Sequence, residues 1–205
     1  YDMSIENPSV NFEDHHAIAK DMSVWIDKIK DYTEYMSDII TAVKGQAVTL
    51  SESENTSFDL EELVKRIDIL MKHELKNAII YLNVHMFVDN KIVIHGDVNS
   101  LVQVINNMIS NAIQAYNGKT EEDINLDFNL DENNNLVISI EDHADGLPKK
   151  VKDKLFKEMI TTKGKNGTGL GLYMSYSTIK AHFNGNITFE SEAGKGTKFN
   201  IILPL

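Results

Sequence analysis

The chain predicts an α+β two-layer sandwich, a mixed and mostly antiparallel sheet covered by helices and preceded by a long heptad-patterned helix. Three observations carry this. Apolar residues alternate with polar ones along Ile80–Met86, Ile124–Leu130 and Leu136–Ile140, the mark of strands with one buried face. Amphipathic helical stretches lie between those runs and would cover that face. Finally, Met22, Trp25, Ile29, Tyr32, Met36, Ile39 and Val43 recur in steps of three and four, an a/d seam.

Residues 1–14 are polar, contain Pro8 and read as a lead-in. A helix is expected from about Asp14 to Lys44, with Asp27, Lys28, Lys30, Asp31 and Glu34 between the seam positions. The stripe reads either as a pairing surface for another helix or as a face lying on the rest of the chain. Gly45 and Ser51–Thr56 form a hinge, dividing residues 1–48 from residues 49–205. A helix is expected from Glu61 to about Lys72, then the strand ending at Met86, and a further strand beginning at Ile92 and Ile94. Asp97 is placed to cap a helix running to Tyr116, ended by Gly118. Asp131–Asn134 joins two strands as a hairpin. Tyr173–Phe183 reads as a helix. A last hairpin pairs Ile187–Phe189 with Phe199–Leu203 across Ala193–Gly196.

The 205 residues, 42% hydrophobic, suffice for one substantial core and an appended element. With 20 basic against 31 acidic residues the net charge is −11, which argues against a nucleic-acid surface. Polyphosphate binding by so acidic a chain calls for a local cationic device, commonly a divalent metal. The absence of cysteine removes any disulfide framework and suits a reducing, cytoplasmic setting. No membrane-spanning run is present, which leaves open a membrane anchor in a longer parent; opening on Tyr1, the chain reads as a piece of something longer.

Gly167-Thr168-Gly169-Leu170-Gly171-Leu172 places glycine at every second position before a helix. Such a turn lets backbone N–H groups and the helix dipole meet an anion. Asn107 and Asn111, four apart on one helix face, oppose an apolar face of Leu101, Val104, Met108, Ile109 and Ala112. Asparagine is a poor helix former, and its amide oxygen is a hard ligand suited to Mg²⁺. Alone, the pair reads equally as two solvated amides. Asp142 ends a strand and enters the turn His143-Ala144-Asp145-Gly146. A buried carboxylate there can accept from the amino group of adenine and would oppose the carbonyl of guanine. Alone, it reads equally as an ordinary Asp/Gly turn.

Together these pieces resemble the ATP-binding domain of sensor histidine kinases, within the superfamily of gyrase, mismatch-repair and heat-shock chaperone ATPases. The resemblance spans Ser57 to Leu205. Gln103–Ala115 is similar to the N box, and Asp142–Gly146 to the first glycine box. Phe156–Lys163 is similar to the F box, Gly167–Leu172 to the second glycine box, and Gly194–Phe199 to the terminal hairpin signature. The resemblance implies ATP and Mg²⁺ as cofactors. Asn111 would coordinate the metal with Asn107 near the phosphates. Asp142 would bind the adenine amino group, Thr197 would assist through water, and Gly146 would lie against the base. Gly167, Thr168, Gly169, Leu170, Gly171 and Leu172 would hold the phosphates by their backbone. Lys163, with Thr162 beside it, would neutralise them from a lid over 157–167.

Three departures from the family pattern matter. Ala144 replaces the first glycine of its box, which costs about 1 kcal/mol if the backbone there needs positive φ. Glu158 and Met159 replace the usual Pro-Phe, which loosens the expected lid packing. Asn107 stands where hydrolysing relatives carry a glutamate base, which favours transfer to a protein over hydrolysis. His73-Glu74 imitates a phosphoacceptor setting but precedes a strand directly, and Ala17 follows His15-His16, so none of these fits. The seam helix instead resembles the second helix of a dimerisation hairpin, with the acceptor helix upstream and a response regulator as the onward partner. Two further readings are an anti-sigma-factor-type protein-serine kinase and a non-catalytic nucleotide-sensing dimerisation module.

Overall fold

The computed structural model describes residues 11–47, 57–156 and 170–205. They belong to two compact units that part between Val43 and Lys44. The first unit holds the helix α1 (Phe12–Ala47), 36 residues long, up to Val43. It starts two residues before the expected Asp14, because Asn11 caps it. The Asn11 side-chain oxygen accepts from the N–H groups of Glu13 and Asp14 at 2.8 and 3.0 Å, and the Asp14 carboxylate accepts from Asn11 N at 2.9 Å. This reciprocal arrangement satisfies donors that a helix start leaves orphaned. Of the seam positions, Met22, Trp25 and Ile29 are exposed, at 44, 62 and 61%. The side chains of Tyr32, Met36, Ile39 and Val43 lie outside the described residues.

The first strand of the second unit is β1 (Ser57–Asp59), which pairs antiparallel with β3 (Val93–His95) and buries Phe58 and Ile94. Three residues are too few to show alternation, so β1 was not expected. Between these strands lie α2 (Leu60–Ala78) and β2 (Ile80–Met86). The Asp59 carboxylate caps α2 by accepting from Glu62 N at 2.8 Å. Leu60, Leu63, Ile67 and Met71 form its buried stripe. The expected end at Lys72 falls six residues short. His73–Ala78 contains no breaker, Leu75 and Ala78 pack on the core, and the helix stops only where Ile79 turns left-handed with φ 55°. His73 therefore lies inside a helix of this unit, its ring Nδ1 3.2 Å from the Asn77 amide nitrogen.

α3 (Val98–Ala115) is capped by Asp97, as expected, whose carboxylate accepts from Asn99 N and Ser100 N. β4 (Glu122–Leu130) and β5 (Leu136–Asp142) form the expected hairpin, and a single helical turn, α4 (Lys149–Lys152), follows unforeseen. α5 (Leu170–Phe183), β6 (Asn186–Glu192) and β7 (Gly196–Leu203) complete the unit. The main sheet runs β2-β4-β5-β7-β6; β2 and β4 are parallel and every other pair is antiparallel. The mixed, mostly antiparallel sheet is therefore present.

One sheet face is apolar by strict alternation. Ile124, Leu126 and Phe128 of β4, Ile138 and Ile140 of β5, and Ile201 and Leu203 of β7 are each 1% exposed or less. α3 supplies Leu101, Val104, Ile105, Met108 and Ile109 to the same core, and α5 supplies Ile179. Burial at about 25 cal/mol per Å² of apolar surface makes this two-layer contact the main stabilising term. A one-residue slip in any strand would turn its apolar set outwards, so the register is fixed. That register places the site.

Candidate functional site

The alternation that puts Ile138 and Ile140 in the core puts Asp142 on the same face, at the strand end. Register sets Thr197 of β7 opposite Asp142, and Ser191 of β6 opposite Thr197. A polar row thus rims an apolar face. Asp142 is 4% exposed and Thr197 5%. The Asp142 oxygen Oδ1 accepts from Ala144 N at 3.0 Å and Thr197 N at 3.2 Å. Burial pushes the Asp142 carboxyl above its ordinary range, and the two N–H donors pull back only in part.

The turn after Asp142 is held on several sides. Ala144 is buried and is not among the residues with positive φ, so alanine in place of glycine carries no backbone cost there. Gly146 takes φ +74°, and its surroundings include the backbone oxygens of Glu192 and Gly196. Gly196 has φ +108°, and a Cβ on it would overlap the Asp142 carbonyl oxygen, so only glycine fits. Leu147 N donates to Ser191 Oγ at 2.7 Å, Gly194 N donates to the Asp145 carbonyl at 2.9 Å, and Lys152 Nζ donates to the Ser191 carbonyl.

Tyr116, just past α3, ties that helix to the same turn. It is 1% exposed; its hydroxyl donates to the Asp123 carbonyl at 2.5 Å and accepts from His143 N at 2.9 Å. Burial makes its hydroxyl a weaker acid than an ordinary tyrosine, the His143 N–H opposing.

A second cluster joins α3 to α5. Asn107 Nδ2 donates to Ser175 Oγ at 2.9 Å, and Ser175 is 5% exposed. A Cβ on Gly171 would lie 2.7 Å from Asn107 Oδ1, so the missing side chain lets the helices approach here. Asn111 lies one turn further along the same face of α3, half-buried; at about 1.5 Å per residue the two amides stand about 6 Å apart along the axis. α5 begins at Leu170, three residues before the expected start. The second half of the glycine run, Leu170, Gly171 and Leu172, is therefore the first turn of a helix, and N–H groups at a helix start suit an anion.

The structure thus brings together Asp142, Gly146 and Thr197 at the sheet rim, and Asn107 and Gly171 at the helix contact, with Leu170 and Leu172 flanking Gly171 in the first turn of α5. Thr162, Lys163, Gly167, Thr168 and Gly169 lie outside the described residues, as does the expected lid. Phe156 stands with φ 64° just before that lid and packs on Tyr176, Phe189 and Phe199 with ring centroids 5.3, 5.9 and 6.3 Å away. Sequence reasoning missed Ser175, Ser191 and Tyr116. A signal existed only for Ser191, which stands across the last hairpin from Thr197.

Residues 96–205 match the family described as histidine kinase-, DNA gyrase B-, and HSP90-like ATPase. Sporulation kinase C of Bacillus subtilis (strain 168) is 31% identical over 178 residues, which cover 87% of this chain and 39% of that protein. The chain spans well under half the length of the curated sporulation kinases it matches. The nucleotide-free catalytic domain of histidine kinase ThkA superposes with a TM-score of 0.62 at 25% identity, covering 73% of this chain and 94% of that one. Full-length ShkA in complex with AMPPNP shares the fold, with a TM-score of 0.66 at 18% identity over 89% of this chain and 38% of that one.

Proposed function

Because the chain belongs to the histidine kinase-, DNA gyrase B-, and HSP90-like ATPase family, we propose that it is the ATP-binding catalytic portion of a sensor histidine kinase. It directs the γ-phosphoryl group of ATP to a histidine and onward to a response-regulator aspartate. The observation that carries this reading is the buried Asp142 carboxylate, with both of its described hydrogen bonds on Oδ1. Oδ2 is the acceptor for the adenine amino group, and an exocyclic carbonyl in that place would be repelled.

The other roles are those the family resemblance implies, and the chemistry of each group suits them. Thr197 assists at the base through water, and Gly146 lies against the ring. The backbone of 167–172 holds the phosphates, with the start of α5 as the helical end of that cradle. Asn111 offers its amide oxygen to Mg²⁺, an ion that keeps several waters and takes only one or two protein ligands beside substrate phosphates. Bound there, the ion would neutralise phosphate charge. Asn107 keeps α5 against α3 through Ser175, and a neutral amide in its place leaves no carboxylate to activate water. Lys163 and Thr162 neutralise and orient from the lid. Phosphoryl transfer depends mainly on positioning and charge neutralisation, which this set supplies.

The exposed Met22, Trp25 and Ile29 stripe fits a homodimeric hairpin, with the acceptor histidine on its other helix. No helix among the described residues is long and apolar enough to cross a membrane, and the proposed setting is cytoplasmic. The test is phosphotransfer with γ-labelled ATP. The chain alone should bind Mg-ATP without becoming labelled, and should label a supplied acceptor helix with acid-labile phosphate. Acid-stable phosphate on the acceptor, or label on the chain's own His15, His16 or His73, would overturn the assignment of the acceptor.

A further inference from the structure

Ser191 has no part in the roles above, yet its hydroxyl has three neighbours: Leu147 N at 2.7 Å, the Gly196 carbonyl at 3.1 Å and Thr197 Oγ1 at 3.1 Å. A serine hydroxyl has one proton and two lone pairs. The Leu147 N–H can only donate, so it takes one lone pair. The Gly196 carbonyl can only accept, so it takes the proton. One lone pair remains, and it faces Thr197 Oγ1, which must therefore donate to it. With its only proton committed to Ser191, Thr197 is an acceptor towards everything else. Ionised Asp142 is likewise acceptor-only. Register sets Asp142, Thr197 and Ser191 in one row across three strands.

We propose that Ser191 is a positioning residue for the purine, holding the Thr197 proton away from the base so that two acceptors line its edge. This rests on the reading of the rim as the adenine pocket. Adenine offers a donor, its amino group, and an acceptor, ring N1. The amino group meets Asp142, and a water that donates one proton to Thr197 Oγ1 and the other to N1 completes the edge. Loss of the Ser191 hydroxyl frees the Thr197 rotor and unfixes that water, so the part of the affinity that depends on N1 falls.

The experiment compares ATP with 1-deaza-ATP, in which N1 is replaced by C–H, by calorimetry with Mg²⁺ on the parent chain, Ser191→Ala and Ser191→Thr. The parent should prefer ATP by about tenfold, Ser191→Ala by about threefold or less, and Ser191→Thr by nearly the parent ratio. A purely structural serine would weaken both nucleotides equally and leave the ratio intact, which would overturn the proposal. So would a parent that binds the two nucleotides alike. A parent that binds no ATP would sink the nucleotide reading itself. Should Ser191→Ala not fold, Thr197→Val removes the same bond from the other side and must lower the ratio; equal weakening there also refutes the role.

Discussion

The sheet rim around Asp142 and the helix contact around Asn107 are built differently. The rim is made of backbone: Asp142, Gly146, Gly196 and Thr197 are fixed by strand register and by N–H groups. The helix contact is made of side chains, one amide on one hydroxyl beside a helical glycine. Backbone geometry yields little to substitution, whereas side chains can turn aside. The rim therefore suits recognition of a rigid planar base, and the helix contact suits a flexible chain of phosphates.

The largest expected effect is at the rim. Gly196→Ala would drive a Cβ into the Asp142 carbonyl at φ +108°, and should lower stability by about 3 kcal/mol. Urea unfolding checks this; a loss below about 1 kcal/mol would show that the rim can relax. Tyr116→Phe removes the hydroxyl shared by His143 N and the Asp123 carbonyl, and should cost about 1.5 kcal/mol in the same measurement. Gly171→Ala should cost only about 1 kcal/mol, since the group in its way is the end of the Asn107 side chain. If Gly171→Ala proves worse than Gly196→Ala, the contrast between the two regions is wrong.

How much of this was legible follows the same division. Alternation was enough to place Asp142, because a strand of period two assigns each side chain to a face, whereas Thr197 came from the family resemblance alone, its strand having been read from Phe199. The asparagine pair was legible from its helical spacing. Ser175 was not, since its partner Asn107 is distant in sequence and no local pattern signals that bond. Ser191 was missed because the last hairpin was read as ending at Phe189. Glu190 and Glu192 look like turn residues, yet the pairing runs on to Glu192 opposite Gly196. The late end of α2 and the early start of α5 have different causes: α2 was ended where its apolar pattern was taken to stop, and α5 was started late because the glycine run up to Leu172 was read as a turn.

The smallest effect concerns pH. Burial raises the Asp142 carboxyl above 3.8 in the folded chain, so ionising it there costs stability. The cost is absent below about 3.8, where both states hold the proton, and grows as pH rises through the raised folded value. Asp142→Asn removes it. The variant's stability relative to the parent should therefore rise with pH across that window and then level off. A flat difference would mean that the carboxylate is well solvated.

The most direct measurement of the central claim is calorimetric titration of the chain with ATP and with GTP, each with and without Mg²⁺. A purine held by the Asp142 carboxylate predicts at least about tenfold tighter binding of ATP than of GTP, strongest with Mg²⁺, and a ratio that collapses in Asp142→Asn. Equal affinities for ATP and GTP in the parent would contradict it.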